Sequence, residues 1–209
     1  ELARMRLAKG GDIERFLDNA MAAADRGATL TQRMLAFARR QELKLQSVDC
    51  LALVHGMTDM LQSSVGPGII IDSLFPKSLA PAHADTGQLE MALLNLVVNA
   101  RDAMPDGGRI LISASEMLTA QGTVPGLASG TYVKLSVIDE GQGMDSATLE
   151  QAREPFFTTK GAQGTGIGLS TCLRVVEDAG GTIRVTSVEG EGTSVTVLLP
   201  LRGSGSRRV

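Results

Sequence analysis

Two asparagines four residues apart and three glycine-rich turns downstream of them are the residues of this chain whose types and spacing can do chemistry. Asn95 and Asn99 lie in an otherwise apolar segment with helical periodicity, so their amides project from one face. An amide oxygen is a hard, neutral ligand that suits Mg²⁺, an ion that is usually completed by waters and substrate phosphates. For these two residues alone, a buried pair that bonds to the backbone is the simpler interpretation.

Asp139 ends an apolar strand and is followed by Gly141 and Gly143, which let the backbone turn sharply and approach a ligand closely. A carboxylate at a strand end can accept a hydrogen bond from an exocyclic amine such as adenine N6. Taken alone, a strand that ends in Asp-x-Gly is also typical of an ordinary turn.

The run from Gly164 to Leu169 (Gly-Thr-Gly-Ile-Gly-Leu) directly precedes a predicted helix. This arrangement presents backbone N–H groups and a helix N-terminus to phosphate oxygens. It is not a Walker loop, because no Gly-Lys-Ser/Thr follows, and it lacks the strand-helix-strand unit with a distal acid of a dinucleotide fingerprint. Considered alone, the segment is equally well explained as a flexible hinge that caps a helix.

The segment between Gly141 and Gly164, which we call the lid segment, is polar and rich in Gly and Thr, and we expect a mobile lid there. Lys160 lies in this segment and can reach a terminal phosphate as a point charge, although a solvated surface lysine is the simpler interpretation. We expect Phe156 and Phe157 to pack the lid against the domain or against an N-terminal helical hairpin, not to contact a base.

The composition narrows the class of protein. The 209 residues are 43% hydrophobic and carry a net charge of −3, with no Trp and one Tyr, which argues against a nucleic-acid partner. Cys50 and Cys172 have no metal-ligand spacing, so we expect buried thiols in a reducing cytoplasm. No stretch approaches the roughly 20 apolar residues that span a bilayer. We therefore expect no membrane contact by this fragment, whose parent protein can still be membrane-anchored.

The chain is predicted to have two parts and a tail. Apolar residues recur with helical spacing from Ile13 to Leu45 and form a wide stripe, which predicts a helical hairpin in residues 1–46 whose first helix is incomplete. Two such hairpins would form a four-helix bundle, so we expect a homodimer through residues 1–46; the alternative is a monomeric helix folded onto its own chain. Residues 47–201 form the second domain, and residues 202–209 a flexible tail or linker.

The second domain is predicted to be a two-layer α/β sandwich, in which helices pack on one face of a mixed sheet, so that the whole chain is of the α+β class. The elements predicted are helices at Cys50 to Ser63, Gln88 to Met104 and Gly168 to Ala179, and strands at Ile69 to Leu74, Arg109 to Ser115, Tyr132 to Asp139, Thr182 to Val188 and Thr193 to Leu199.

Taken in this order, the motifs resemble the catalytic ATP-binding domain of bacterial sensor histidine kinases, in the superfamily shared with type II topoisomerases, mismatch-repair ATPases and a heat-shock chaperone. Asn95 and Asn99 resemble the N box, Asp139 to Gly143 the G1 box, Phe156-Phe157 the F box, Gly164 to Gly168 the G2 box, and Gly190 to Thr193 the last glycine turn. The segments Asn99-Ala-Arg-Asp-Ala-Met-Pro and Glu154-Pro-Phe-Phe-Thr-Thr-Lys are similar to those of the subgroup that is often found in hybrid kinases with an attached receiver.

The resemblance implies a Bergerat-type ATP fold that binds ATP and Mg²⁺. Asp139 would hold adenine, Asn99 and Asn95 the metal, and the lid and the Gly164 to Gly168 loop the triphosphate. The implied site comprises Asn95 and Lys160 as catalytic residues and a set of nucleotide-binding residues: Asn95, Asn99, Asp139, Gly141, Gly143, Gly164, Thr165, Gly166, Gly168, Leu169 and Thr193. Related ATPases have a water-activating glutamate at the position of Asn95. An amide cannot be a general base, which favours phosphoryl transfer to a protein acceptor over hydrolysis.

The acceptor histidine of the resembled family lies in the first hairpin helix, and this chain begins after that point. His55 and His83 are not followed by an acid, so neither matches the acceptor motif. We expect this fragment to bind ATP without autophosphorylating, and its parent to pass the γ-phosphate to a histidine and then to a response-regulator receiver aspartate. The alternatives are an ATPase of the same superfamily and a non-catalytic or phosphatase-biased dimeric scaffold.

Overall fold

The structure of the protein is a computed structural model that describes residues 43–160 and 166–201. The helical hairpin and the dimer interface predicted for residues 1–46 lie almost wholly outside the described residues. Gly164, Thr165 and the predicted tail at 202–209 also lie outside them. These parts of the sequence interpretation stay predictions.

The described part of the chain forms four helices and seven strands. Their order is β1 (Gln46–Val48), α1 (Cys50–Val65), β2 (Ile69–Leu74), β3 (Ala82–Ala84), α2 (Thr86–Asp102), β4 (Gly108–Thr119), β5 (Gly130–Asp139), α3 (Ser146–Gln151), α4 (Gly168–Asp178), β6 (Thr182–Val188) and β7 (Gly192–Pro200). Five strands form one sheet in the spatial order β2-β4-β5-β7-β6. β2 pairs with β4 in parallel and the other neighbours pair antiparallel, which confirms the predicted mixed sheet.

One face of this sheet carries the hydrophobic core. Because side chains alternate along a strand, every second residue from Ile110 to Ala114 in β4 and from Val133 to Val137 in β5 is buried on that face. The apolar faces of α1, α2 and α4 join the same core cluster through residues such as Met57, Leu93 and Val176. The predicted layer of helices over one face of the sheet is therefore confirmed.

Aspartates define where three helices of the described chain begin. Asp49 precedes α1 and accepts from two backbone N–H groups, Asp85 caps α2 through the N–H of Gln88 at 3.0 Å, and Asp145 caps α3. The Asp85 cap starts α2 at Thr86, two residues before the predicted start. α4 differs, because the residue before it, Ile167, provides no side-chain cap.

The opposite face of the sheet is partly covered by the loop between β4 and β5. Val124 and Leu127 of this loop are buried against Tyr132 and Leu198, and the Tyr132 hydroxyl donates to the carbonyl of Ala128 at 3.0 Å. The sequence predicted no element in this segment, nor did it predict the small antiparallel pair of β1 and β3.

The remaining differences concern the ends of elements. α2 ends at Asp102, before the predicted Met104, because the N–H of Met104 bonds to the carbonyl of Arg101, three residues back, at 2.9 Å. β4 continues to Thr119, since it stays paired with β5 as far as Gly130. α3 occupies part of the lid segment, where no helix was predicted.

Across residues 43–160 and 166–201, no helix has the length and apolar character that crossing a bilayer would need.

Candidate functional site

Asp139 is the last residue of β5, and its side chain is only 7% exposed. Its Oδ1 accepts hydrogen bonds from the backbone N–H groups of Gly141 at 2.9 Å and Thr193 at 3.2 Å. Thr193 lies directly opposite Asp139 in the pairing of β5 with β7. Burial raises the pKa of the Asp139 carboxyl, and the two backbone hydrogen bonds oppose that shift. Because both bonds found in the described chain end on Oδ1, Oδ2 is available as an acceptor for a ligand.

Two glycines around Asp139 are required by close backbone approach. Gly143 has a φ of +64°, and a Cβ there would overlap the carbonyl oxygen of Val188. Gly192 has a φ of +113°, and a Cβ there would overlap the carbonyl oxygen of Asp139. A residue with a side chain would be strained in conformation and would also collide with the backbone, so the turns around Asp139 pack main chain on main chain.

Backbone hydrogen bonds tie the loop after β5 to two neighbouring elements. The N–H of Gln142 donates to the carbonyl of Ala103 at 3.0 Å, directly after α2. The carbonyl of Gln142 accepts from the N–H of Gly190 at 2.8 Å, in the turn between β6 and β7. Asp139 is thereby held beside the end of the helix that carries the two asparagines.

The first asparagine of α2 faces α4. The side chain of Asn95 hydrogen-bonds the thiol of Cys172, which is fully buried and donates to the carbonyl of Ala92 at 3.5 Å. Burial raises the pKa of the Cys172 thiol to about 12, with the hydrogen bond to Asn95 opposing the shift. The group next to Asn95 is therefore a neutral thiol at physiological pH, a contact that the sequence interpretation did not foresee.

The second asparagine faces the lid segment. Asn99 Oδ1 accepts from the ammonium of Lys160 at 3.4 Å. On its other side lies Gly168, at the start of α4, where a Cβ would stand 3.5 Å from Asn99 Nδ2. The structure thus brings Asn99, Lys160 and Gly168 together, and their roles at a nucleotide site stay a prediction. In the described residues Asn95 and Asn99 contact different groups.

Lys160 also forms an ion pair with Asp102, a residue that the sequence interpretation did not select. The Lys160 ammonium lies 2.7 Å from Asp102 Oδ2, and the Arg101 guanidinium lies 2.6 Å from Asp102 Oδ1. Burial acts to raise the pKa of the Asp102 carboxyl, but the hydrogen bonds and charges of Lys160 and Arg101 outweigh it and lower that pKa. The signal available in the sequence was spacing, since Asp102 follows Asn99 by three residues and shares its face of α2.

The start of α4 presents backbone donors that the helix itself does not use. The first hydrogen bond of this helix runs from the N–H of Thr171 to the carbonyl of Ile167 at 2.9 Å, so the N–H groups before Thr171 have no acceptor within the helix. No acidic side chain occupies the first turn. Leu169 is half-buried against the core, so its side chain positions the helix.

The Phe156-Phe157 pair only partly fits the expectation of packing. Phe156 has a φ of +70° and its side chain is 60% exposed. Its N–H donates to the carbonyl of Gly166 at 2.9 Å, which holds the lid segment against the residue two before α4. Phe157 is half-buried. Packing of this pair against residues 1–46 lies outside the described residues and stays a prediction.

The donor set suits a metal that binds few protein ligands. Among the described residues, no group of three or more His, Cys, Asp or Glu side chains is placed to hold a metal ion. Amide oxygens such as that of Asn99 fit Mg²⁺, which takes most of its ligands from water and phosphate. The contact with the Lys160 ammonium shows that the Asn99 oxygen already accommodates a cationic partner.

Comparison with known proteins matches this architecture. The family model described as histidine kinase-, DNA gyrase B- and HSP90-like ATPase matches residues 84–203, and the chain belongs to this family. The match begins just before α2 and ends just after β7, so it contains every residue of the candidate site. Within the family, the relatives include sensor histidine kinases, and the described domain is a histidine kinase catalytic ATP-binding domain.

Three relatives illustrate the match. The sensor kinase CckA of Brucella abortus (strain 2308) is 38% identical over 181 residues, which are 85% of this chain and 19% of that kinase. The crystal structure of full-length ShkA in complex with AMPPNP has a TM-score of 0.71 at 25% identity, covering 95% of this chain and 42% of that one. The histidine kinase ThkA in complex with the response regulator TrrA has a TM-score of 0.67 at 23% identity, covering 94% of this chain and 55% of that one. The chain thus spans only about a fifth of CckA.

Proposed function

We propose that this chain is the ATP-binding catalytic core of a two-component sensor histidine kinase. It would support transfer of the ATP γ-phosphate to a histidine of the parent protein, and then to the aspartate of a response-regulator receiver. The observation that carries this proposal is the convergence of two kinds of group on one end of the domain. A buried carboxylate with a spare oxygen lies at Asp139, and an amide oxygen with a cationic partner lies at Asn99.

The base of the nucleotide is assigned to Asp139. Its Oδ1 is occupied by the N–H groups of Gly141 and Thr193, so the carboxylate is fixed in orientation before any ligand arrives. Oδ2 would accept from the exocyclic amine of adenine. A hydrogen bond to a buried charged acceptor is worth roughly 1.5–3 kcal/mol, enough to dominate base recognition.

The phosphates are assigned to the other half of the site. Asn99, with Asn95, would hold Mg²⁺, which when bound neutralises charge on the phosphate oxygens. The N–H groups of Gly168 and Leu169 that α4 does not use itself, with the predicted contacts of Gly164, Thr165 and Gly166, would donate hydrogen bonds to the phosphate oxygens. Lys160 would add a point charge from the lid segment.

The amide at position 95 favours kinase chemistry over hydrolysis. Asn95 cannot take a proton from water at neutral pH, and its neighbour Cys172 is a neutral thiol. Among the described residues, the site therefore supplies positioning and electrostatic stabilisation but no obvious base, which suits transfer to an incoming histidine nitrogen. Rapid ATP hydrolysis by the unmodified chain would instead favour the ATPase alternative.

The partners follow from the same proposal. The complex of ThkA with the response regulator TrrA supports a receiver domain as the second phosphate acceptor. We further propose a homodimer through residues 1–46, and a site of action in the bacterial cytoplasm, in keeping with the bacterial relatives and the two free, buried cysteines.

Calorimetric titration with AMPPNP and Mg²⁺ tests the proposal without needing a phosphate acceptor. We expect metal-dependent binding by the 209-residue chain that is lost or severely weakened in Asp139→Asn and in Asn99→Ala. The matched control is Asp72→Asn, which also removes an ion-paired carboxylate but on the exposed edge strand β2, where Asp72 pairs with Arg109 at 3.0 Å. A wild-type chain that is folded by circular dichroism yet binds no nucleotide would overturn the proposal in favour of the scaffold alternative.

Phosphoryl transfer needs a second measurement. The histidine-bearing segment of the parent, supplied as a separate polypeptide with γ-labelled ATP, should acquire acid-labile label in the presence of the chain. Asp139→Asn should abolish the transfer and Asp72→Asn should leave it intact. Nucleotide binding without transfer to that segment would favour a non-catalytic or phosphatase-biased role.

A further inference from the structure

Arg101, Asp102 and Lys160, which we call the Asp102 cluster, join the end of α2 to the lid segment. The two oxygens of the Asp102 carboxylate are divided between the two cations. Oδ1 accepts from Arg101 Nε at 2.9 Å and Nη2 at 2.6 Å, whereas Oδ2 accepts from Lys160 Nζ at 2.7 Å. The carboxylate therefore has one partner on its own helix and one on the lid segment.

Arg101 holds the Asp102 carboxylate against the packed helices. Its Nη1 donates to the carbonyl of Ser64 at 2.7 Å, near the end of α1, so the guanidinium is held by the backbone of a second helix as well as by Asp102. The two-point contact with Asp102 Oδ1 uses the planar fork of the guanidinium, which fixes direction as well as charge. Asp102 is thus oriented by groups that belong to the packed helical layer.

Lys160 is the more flexible of the two partners of Asp102, because its ammonium is carried on a long side chain with many rotatable bonds. The same ammonium donates to Asn99 Oδ1 at 3.4 Å, one turn of α2 before Asp102. One carboxylate lies between two cations, so the cluster carries a net positive charge beside Asn99. A phosphate group near Asn99 would meet this charge.

We propose that Asp102 is a positioning residue that holds the ammonium of Lys160 beside Asn99, on the side of the site where the terminal phosphate of a nucleoside triphosphate is bound. This inference rests on the proposed ATP-binding function and deepens it. Arg101 keeps Asp102 in place, Asp102 keeps Lys160 in place, and Lys160 discriminates a nucleoside triphosphate from a diphosphate. Asp102 itself touches neither the base nor the phosphates.

A second ion pair of the domain shows what an ordinary surface contact looks like here. Arg109 and Asp72 lie 3.0 Å apart with side chains 58% and 44% exposed, and in the described chain neither side chain is found in a further hydrogen bond. Lys160 and Asp102 lie 2.7 Å apart with side chains 35% and 29% exposed, and both take part in further hydrogen bonds. The lowered pKa of the Asp102 carboxyl agrees with a carboxylate that stays ionised between its two cations.

A double-mutant cycle on nucleotide selectivity tests the proposal. The dissociation constants of AMPPNP and ADP, both with Mg²⁺, are measured by calorimetry for the 209-residue chain and for Asp102→Asn, Lys160→Met and the double variant. Lys160→Met should lower the preference for AMPPNP over ADP by about fivefold, the scale of one partly exposed charge contact. Asp102→Asn should lower the same ratio by about threefold with little change in ADP affinity, and the double variant should match Lys160→Met alone.

Three outcomes would overturn the proposal. Equal weakening of AMPPNP and ADP by Asp102→Asn, additive with Lys160→Met, would mean that Asp102 only stabilises the helix end. Tighter AMPPNP binding by Asp102→Asn would mean that the ion pair competes with the phosphate. An unchanged ratio in Lys160→Met would remove Lys160 from phosphate recognition, while normal AMPPNP binding by the wild type would leave the proposed function standing.

Controls separate these effects from misfolding. Asp72→Asn should leave the ratio unchanged, because its carboxylate pairs with Arg109 away from the helix ends. Lys160→Arg retains a cation and should recover part of the selectivity that Lys160→Met loses. Thermal unfolding of each variant shows whether the domain is intact, and Lys160→Met gives a reading even if Asp102→Asn fails to fold. A wild type that binds neither nucleotide would refute the proposed function together with this inference.

Discussion

The two ends of the candidate site are held in place by different kinds of group, backbone at one end and side chains at the other. Asp139 at one end is held by backbone N–H groups of Gly141 and Thr193 and is surrounded by main chain that leaves no space for a Cβ at Gly192. The Asp102 cluster at the other end is held by the long side chains of Arg101 and Lys160. A backbone scaffold is fixed once the sheet has formed, whereas a side-chain scaffold keeps rotamer freedom that a ligand must still remove.

The two carboxylates respond in opposite ways to their surroundings. Burial raises the pKa of Asp139, since the opposing hydrogen bonds come from neutral donors. For Asp102 burial acts in the same direction, but hydrogen bonds and charges from two cations lower the pKa. At one end of the candidate site an ionised carboxylate therefore costs folding stability, and at the other end an ionised carboxylate adds to it.

The largest loss of stability is expected where a side chain is added between closely packed backbone segments. Gly192→Ala places a methyl group onto the carbonyl of Asp139 at a φ of +113° and should cost about 3 kcal/mol of unfolding free energy, from strain and collision together. Gly190→Ala, in the same turn at a φ of +80° with open space around it, should cost only about 1 kcal/mol. Urea unfolding of both variants measures the difference, and equal costs would refute the argument from close packing.

A smaller effect is expected where the side-chain scaffold loses its anchor. Arg101→Met removes the guanidinium from Asp102 and from the carbonyl of Ser64, and should cost about 1–2 kcal/mol of unfolding free energy. Arg109→Met breaks the exposed pair with Asp72 and should cost less than about 0.5 kcal/mol. Urea unfolding of the two variants compares them, and a cost for Arg109→Met as large as that for Arg101→Met would show that the Asp102 cluster is an ordinary surface contact.

The pH dependence of stability should differ in sign between Asp139→Asn and Asp102→Asn. The folded pKa of Asp102 is lowered, so its contribution is present above the unfolded value of about 3.9 and is lost as pH falls through the folded pKa. The folded pKa of Asp139 is raised, so its ionised form costs stability at neutral pH, and the cost disappears as pH falls through that folded pKa towards the unfolded value.

The measurement is urea unfolding of the wild type and both variants between neutral and acid pH. Relative to the wild type, Asp102→Asn should be destabilised at neutral pH and recover on acidification. The unfolding free energy of Asp139→Asn should fall relative to that of the wild type on acidification. Parallel curves for the two variants would show that the two carboxylates sit in equivalent environments.

The smallest effect is expected from salt. The contribution of Asp102 depends on charges that are partly exposed, so raising ionic strength from about 0.05 to 0.5 M should shrink the stability difference between wild type and Asp102→Asn by a few tenths of a kcal/mol. The difference for Asp139→Asn should hardly change, because Asp139 bonds to neutral backbone groups. Unfolding at the two salt concentrations separates these cases, and equal sensitivity would contradict the contrast.

The same contrast explains what the sequence could and could not predict. The end of the site that is held by backbone groups could be predicted from the sequence, because close approach demands glycines at fixed offsets from Asp139. The apolar alternation of β5 fixes where Asp139 lies. The strand and helix order followed from the same periodicities. Asp102 was missed because a charged residue at a helix end is usually solvated, and only the fold brings Lys160, 58 residues further on, against it. The contact of Asn95 with Cys172 is likewise a product of helix packing.

The short elements were missed for local reasons. α3 carries its signal in Asp145, whose carboxylate caps the N–H of Thr148, but six residues are too few to show a periodicity. β1 and β3 have three residues each and pair across a long stretch of chain. Val124 and Leu127 are scattered among turn residues, so their burial against the far face of the sheet depends on the length of β4 and β5.

Helix α4 is the one helix of the described chain that begins without a side-chain cap, and it begins between glycines. A nucleotide whose phosphate oxygens accept hydrogen bonds from the N–H groups of Gly168 to Ser170 would therefore supply the cap that this helix lacks. Part of the binding interaction would then stabilise the first turn of the helix. Amide hydrogen exchange at residues 168–171 should then slow on ligand addition more than exchange at the Asp-capped start of α2, so the helix start would report occupancy of the site.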